Sequence, residues 1–334
     1  MKNYLTIIAF TALSCFTSCT KDEEPFNRLE NEEISRRIIK PNSNEIPVTR
    51  PATLSRIDAR KEIGGRLRSY SWKLFRKFYN ERQEKGTADQ NLLFSPYNIL
   101  TSMNKQVDDS NKNELFDEIG LYGIPEDVLD ELLQFIGTYF PLDNRIWFNN
   151  TASSPFFRGY WRHIGKVHTQ QESFRKADGS TKQMEMMIIP NTLCYAKRSK
   201  NYFLAELEIG DYIRMFFVIP SHGHDFSEVI ETFDFSDVGT DTYWLLNFMM
   251  PKISVEDSIS MDLPLSKELI SVRQNVELNL SERGVNYASE TRNEHKEDVE
   301  NWQGVDFFSL NQPFLYGIME KFNNIPLYIG YYGY

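Results

Sequence analysis

The apolar pattern changes character once along this chain of 334 residues, and that change limits the folds open to it. Between Asp58 and Gln83, the residues Leu67, Tyr70, Leu74, Phe75, Phe78 and Tyr79 recur at three- and four-residue steps, the spacing of one helix face. A short strand is expected over 91–94. A helix then starts at Ser95-Pro96, a capping residue followed by proline, with Ile99, Leu100 and Met103 on its inner face. Further helical patterns cover 115–121 and 126–140. After Asp143 the runs at 145–148, 184–189, 212–219, 243–250, 276–280, 314–319 and 327–332 are rich in aromatic and β-branched residues and read as strands. Asp178-Gly179 is a hairpin-type turn signal. Helices first and strands later, with no regular alternation, indicate an α+β fold rather than a doubly wound parallel sheet. There is no internal repeat, and one domain is expected over 57–334.

The acidic balance, 37 Lys+Arg against 47 Asp+Glu, argues against a nucleic-acid surface, which needs clustered cations. The first segment reads as an address. Lys2 supplies a small positive region, 4–13 an apolar stretch too short to span a bilayer, and Thr17-Ser18 precede Cys19. Phe16-Thr17-Ser18-Cys19 is similar to a bacterial lipoprotein cleavage box, with Cys19 as the acylated residue and Cys15 a weaker rival. Lys21-Asp22-Glu23-Glu24 resembles an acidic export signal, so the expected location is the outer membrane or cell surface, with lipid as the only membrane contact. A secreted protein with an ordinary signal peptide is the alternative. Residues 19–56, with Pro25, Pro41, Pro47 and Pro51 among charges, read as a flexible tether. A lipid on Cys19 leaves Cys194 as the single mature thiol, expected to be a small buried apolar residue.

No Gly-x-Ser-x-Gly elbow, phosphate loop, dinucleotide fingerprint or His-Glu-x-x-His helix is present. His222-Gly223-His224-Asp225 has zinc-ligand residue types but lacks an evident fourth ligand, and reads as a polar turn before a helix over 227–233. The expectation is a protein that is not an enzyme and carries no cofactor or metal.

The run Phe308-Ser309-Leu310-Asn311-Gln312-Pro313-Phe314-Leu315-Tyr316-Gly317-Ile318 resembles the serpin family signature, with Asn311, Pro313 and Phe314 among its marker positions. Similar matches run along the chain in order. They are Asn91-Leu92-Leu93-Phe94-Ser95-Pro96, then Phe157-Arg158-Gly159-Tyr160-Trp161 followed by Thr169 and Phe174. Met186-Met187, Pro251-Lys252 and Leu280-Ser281-Glu282-Arg283-Gly284 continue the series. The resemblance implies a fold of three β-sheets and a helical cluster with an exposed reactive loop, and a monomer that inhibits an extracellular serine or cysteine peptidase. In inhibitory members the cleaved loop enters a central sheet as a new strand and drags the trapped peptidase with it. The alternative is a non-inhibitory binding lipoprotein that keeps the scaffold.

The same resemblance assigns the loop hinge to Glu282, Gly284, Val285, Tyr287, Ser289 and Thr291. Strand alternation would turn Val285, Tyr287, Ser289, Thr291, Asn293, His295 and Glu297 inward. Ser289 and Thr291 suit this, whereas Tyr287 and Glu297 oppose it through bulk and charge. Counting forward from Gly284 makes Asp298 the bait residue, and counting back from Pro313 makes it Trp302. The sheet-opening region maps to Ser95, Asn98, Ser153, Trp161 and Gln274, with Gln274 where the family commonly has His. The chain looks shortened. Only 149–156 separate two central-strand motifs, too few residues for the family's intervening helices, and a second stretch is missing near 263–268.

Overall fold

The computed structural model describes residues 53–87, 90–139, 144–148, 151–153, 159–161, 167–210, 212–239, 242–266, 269–282, 284–285 and 306–334. Helix α1 (Arg56–Glu84) is capped by Ser55, whose hydroxyl accepts from the Asp58 N–H, and it carries Asp58 in its first turn and Arg82 in its last. Its buried stripe runs from Ala59 through Ile63, Leu67, Tyr70, Leu74 and Phe75 to Phe78. Strand β1 (Leu92–Phe94) leads into α2 (Pro96–Gln106), capped by Ser95 with proline in the first turn. Helices α3 (Asp109–Glu118) and α4 (Glu126–Tyr139) follow. The third helix begins six residues before the expected start at 115 and stops before 121. Its first turns, Asp109 to Glu114, are almost wholly polar and bury only Asn111, so they give no apolar periodicity to detect.

The strands form two hydrogen-bonded sheets. The six-stranded sheet contains β2 (Asn144–Phe148), β3 (Thr151–Ser153), β4 (Gly159–Tyr160), β10 (Ile253–Pro264), β11 (Leu269–Ser281) and β12 (Gly284–Val285). The nine-stranded sheet runs β1, β15 (Ile325–Tyr332), β14 (Phe314–Glu320), β8 (Ile213–Pro220), β7 (Tyr202–Ile209), β6 (Thr181–Arg198), β9 (Tyr243–Pro251), β13 (Asp306–Ser309), with β5 (His168–Arg175) also on β6. The expected three sheets appear as two because β6 is continuous over 18 residues. It pairs with β5 through its first half, with β7 through its last four residues, and with β9 across a bulge between Ile189 and Thr192. Helix α5 (Phe226–Thr232) and a 3-10 turn (Phe235–Asp237) cover β8 and its neighbours.

Strands β14 and β15 are buried at every residue, as central strands covered on both faces should be. Helices α1 and α2 pack across β15. Between the two sheets, Asp257 of β10 occupies an inward position and is satisfied there by Arg82 at 2.6 Å and by the Leu93 N–H at 2.7 Å. Cys194 is buried on β6, and burial pushes its thiol up to about 12, beyond the range of a reactive cysteine.

Candidate site at the gap beside strand β11

One edge of β11 is taken by β10, in unbroken antiparallel register from Ile253↔Leu280 to Pro264↔Leu269. The short link between these strands is the position of the second expected deletion. The opposite edge is shared by two separate segments. Low on the strand, β2 pairs antiparallel with β11 from Phe148↔Val272 to Asn144↔Val276. High on the strand, β12 pairs with β11 through Ser281↔Gly284 and Leu280↔Val285. Gly284 sits at φ +126°, a conformation that a side chain would strain. Among the described residues, the ladder of β2 ends at Val276 and that of β12 at Leu280.

A third column lies beyond. Ser153 of β3 is opposite Ile146, which is opposite Gln274, while Tyr160 of β4 is opposite Gly284, which is opposite Ser281. The spacing from Ser153 to Tyr160 equals that from Gln274 to Ser281, so β3 and β4 keep one register with β11. The interval between the two central-strand motifs therefore holds β3, and β2 lies between that column and β11.

At the upper end of the gap, Glu282 is held by a hydrogen bond from Thr169 Oγ1 at 2.6 Å and by Lys252 Nζ at 2.8 Å. Burial alone would raise this carboxyl, but the bonds from Lys252, Thr169 and its own backbone overcome it and bring the pKa down to about 2. The same carboxylate keeps the Lys252 ammonium above its ordinary value. Lys252 also approaches Glu185 of β6 at 3.4 Å, so this cluster bridges the two sheets. Buried Trp161 donates its indole N–H to the Ser281 carbonyl at 3.0 Å and bridges to Ile209 of β7. Glu282, Gly284 and Trp161 thus meet at one end of the gap. Lys252 and Thr169 lie in motifs visible in the sequence, yet nothing in the sequence pairs them with Glu282.

The remaining sheet-opening residues lie lower, beneath β2. Gln274 is fully buried. It accepts from the Ser95 N–H at 2.8 Å and donates to the Ser95 carbonyl at 3.2 Å. The Ser95 hydroxyl donates to the Leu327 carbonyl at 2.7 Å and accepts from the Asn98 N–H, tying α2 to both sheets. Asn98 is buried, and its side-chain Nδ2 finds no partner among the described residues. Ser153 joins this group by backbone register with Gln274, not by a described side-chain bond.

Val285 is paired with buried Leu280. Tyr287, Ser289, Thr291, Asn293, His295, Glu297, Asp298 and Trp302 lie outside the described residues, as does Cys19. The chain is next described at β13, which pairs parallel with β9. In the signature, the Asn311 carbonyl accepts from the Arg175 N–H at 2.9 Å, while Pro313 and Phe314 are buried at the start of β14. In the His222–Asp225 turn, Asp225 caps α5 and His224 Nδ1 lies 2.6 Å from Glu228 Oε2. Among the described residues no cluster of His, Cys, Asp and Glu could hold a metal ion.

The family model for serpins (serine protease inhibitors) matches residues 143–268. No curated protein matches the sequence. Among solved structures, Serpin48 of the insect Tenebrio molitor is similar with a TM-score of 0.62 and 13% identity, over 81% of this chain and 97% of that one. Thyroxine-binding globulin in complex with thyroxine gives 0.61 at 13% identity, over 81% and 98%. Native protease nexin-1 with heparin gives 0.60 at 13% identity, over 84% and 100%. The chain is thus matched in its central stretch by the serpin family model and shares the serpin fold across most of its length.

Proposed function

We propose that this chain is a peptidase inhibitor anchored at the bacterial surface through Cys19, with residues 285–302 as bait and β12 as the first step of strand insertion. The observation that carries this is the seating of Gly284 and Val285 between β11 and β4, directly below the Glu282–Lys252–Thr169 cluster. Extending β12 downward would lengthen its ladder along the edge of β11, a gain in main-chain hydrogen bonding that drives the step. Nothing in this reading requires the chain to act as a catalyst. The test is to nick the loop with a low-specificity protease and compare thermal unfolding of the intact and cut chains. A higher midpoint after cutting supports insertion, and detergent-resistant complexes with elastase-, chymotrypsin- or acid-preferring peptidases would identify the target. For the anchor, labelled fatty acid should enter the wild-type chain and not Cys19→Ala.

A second reading, a non-inhibitory binding lipoprotein, is favoured by one observation. β2 already fills the lower part of the column into which the loop would move. An unchanged midpoint after the cut, with no stable complex, would decide for it.

A further inference from the structure

Away from β11, two tyrosines meet at one end of the β6–β9 ladder. Tyr195 is directly opposite Tyr243 in the last register pair, and buried Cys194 and Ala196 on either side of Tyr195 turn its ring to the outer face. The ring centroids lie 4.3 Å apart with the planes 37° from parallel, and one hydroxyl donates to the other. Two other tyrosine pairs are more distant and have one ring buried: Tyr79–Tyr331 is edge-on at 5.3 Å, and Tyr332–Tyr334 lies at 5.9 Å. Tyr243 is 58% exposed, so a reagent in solvent reaches this pair.

We infer that Tyr195 and Tyr243 form an oxidative cross-linking site, at which a one-electron oxidant of the peroxidase class joins the two rings as dityrosine. The hydrogen bond with Tyr243, followed by burial, pushes the Tyr195 hydroxyl up to about 12, so this phenol carries its proton at neutral pH. Oxidation therefore removes an electron and a proton from each ring. The two phenoxyl radicals combine through the carbons beside their hydroxyls, forming one C–C bond, and the hydrogens on those carbons move to the oxygens to restore both aromatic rings. Hydrogen peroxide, the terminal oxidant, takes up the two electrons and two protons and leaves as two waters. The protein loses two hydrogens in all. Contact between the hydroxyls keeps the reacting carbons side by side, whereas a radical on a solitary surface tyrosine must wait for a second molecule. The bond locks the end from which β6 and β9 can fray, and β9 in turn holds β13. It also closes the chain from Tyr195 to Tyr243 into a loop in the unfolded state, which stabilises the fold as other cross-links do.

The test treats the dilute full chain with a peroxidase and hydrogen peroxide, then digests it with trypsin. Cleavage after Lys and Arg puts Tyr195 in the peptide 183–197 and Tyr243 in 215–252, each the only tyrosine of its peptide. The expected product is a monomer with dityrosine fluorescence, whose digest contains these two peptides joined and lighter by two hydrogens. Tyr195→Phe and Tyr243→Phe keep the rings and should each cut the intramolecular yield about tenfold or more, because no pre-placed phenol remains. Only the wild-type chain should gain a higher urea midpoint on oxidation. Joined peptides that involve other tyrosines, covalent dimers in place of the monomeric product, or an undiminished yield from both Phe variants would overturn the site.

Discussion

The two sheets were built to different standards of closure. In the nine-stranded sheet, β14 lies between β8 and β15 with both edges paired, and Gly317 at its centre faces the Phe216 ring and the Tyr328 carbonyl. Aromatic contacts continue outward, with Phe248–Phe308 and Phe203–Phe308 ring centroids 5.0 Å apart and Phe314–Tyr332 at 5.2 Å. In the six-stranded sheet, one central column is assembled from β2 and β12, segments far apart in the chain, whose described ladders end at Val276 and Leu280. The first arrangement offers no second packing. The second divides one strand edge between two separate segments, so one sheet is held by continuous ladders and the other by a divided one.

The largest test of this contrast is Gly317→Val. A Cβ there would lie 2.5 Å from Phe216 ring atoms and 2.6 Å from the Tyr328 carbonyl oxygen, and the backbone cannot retreat. A loss of about 3 kcal/mol or more is expected, lowering the urea midpoint of intact and nicked chains alike. A nicked form spared by this substitution would break the comparison. Gln274→Leu acts on the open sheet and is expected to cost about 2 kcal/mol, because the buried Ser95 N–H loses its acceptor. It should also speed amide exchange along β11, and unaltered exchange would mean that this cluster does not hold the column.

Glu282→Gln has the smallest expected effect, below about 1 kcal/mol, because the carboxylate is a third exposed and partly screened. Its sign with pH is the sharper readout. The folded pKa, about 2, lies below the ordinary 4.5, so wild type draws stability from the cluster above about pH 4.5 and loses it as pH falls toward 2. The stability difference from Glu282→Gln should therefore shrink across that window. A difference that stays constant would assign the effect to packing.

The serpin resemblance and the fold class were legible in the sequence because the motifs follow one another in order and because α1, β8, β14 and β15 carry strong apolar patterns. What escaped has physical reasons. β7 reads Tyr-Phe-Leu-Ala-Glu-Leu-Glu-Ile, and Glu206 within it is a buried ion whose partner, Arg214 at 3.0 Å, belongs to the next strand. A buried carboxylate disguises a fully covered strand. β10 alternates regularly from Ile253 to Leu263 and could have been read, but its polar half of Ser, Glu and Asp resembles a loop. In the candidate site, Glu282, Gly284 and Trp161 could be named from motifs. That Lys252 and Thr169 converge on Glu282, and that β3 and β4 share one register, are facts of strand order, which local sequence does not encode.

The two described ends flanking residues 286–305 belong to different sheets: Val285 is sewn to β11, and Asp306 to β9. Severing the chain anywhere between them yields two polypeptides. The downstream piece begins with β13 and threads β14 and β15 between β8 and β1, where every residue is enclosed. That fragment cannot diffuse away, so the cut protein should migrate at its original size on a sizing column and come apart only when boiled in detergent.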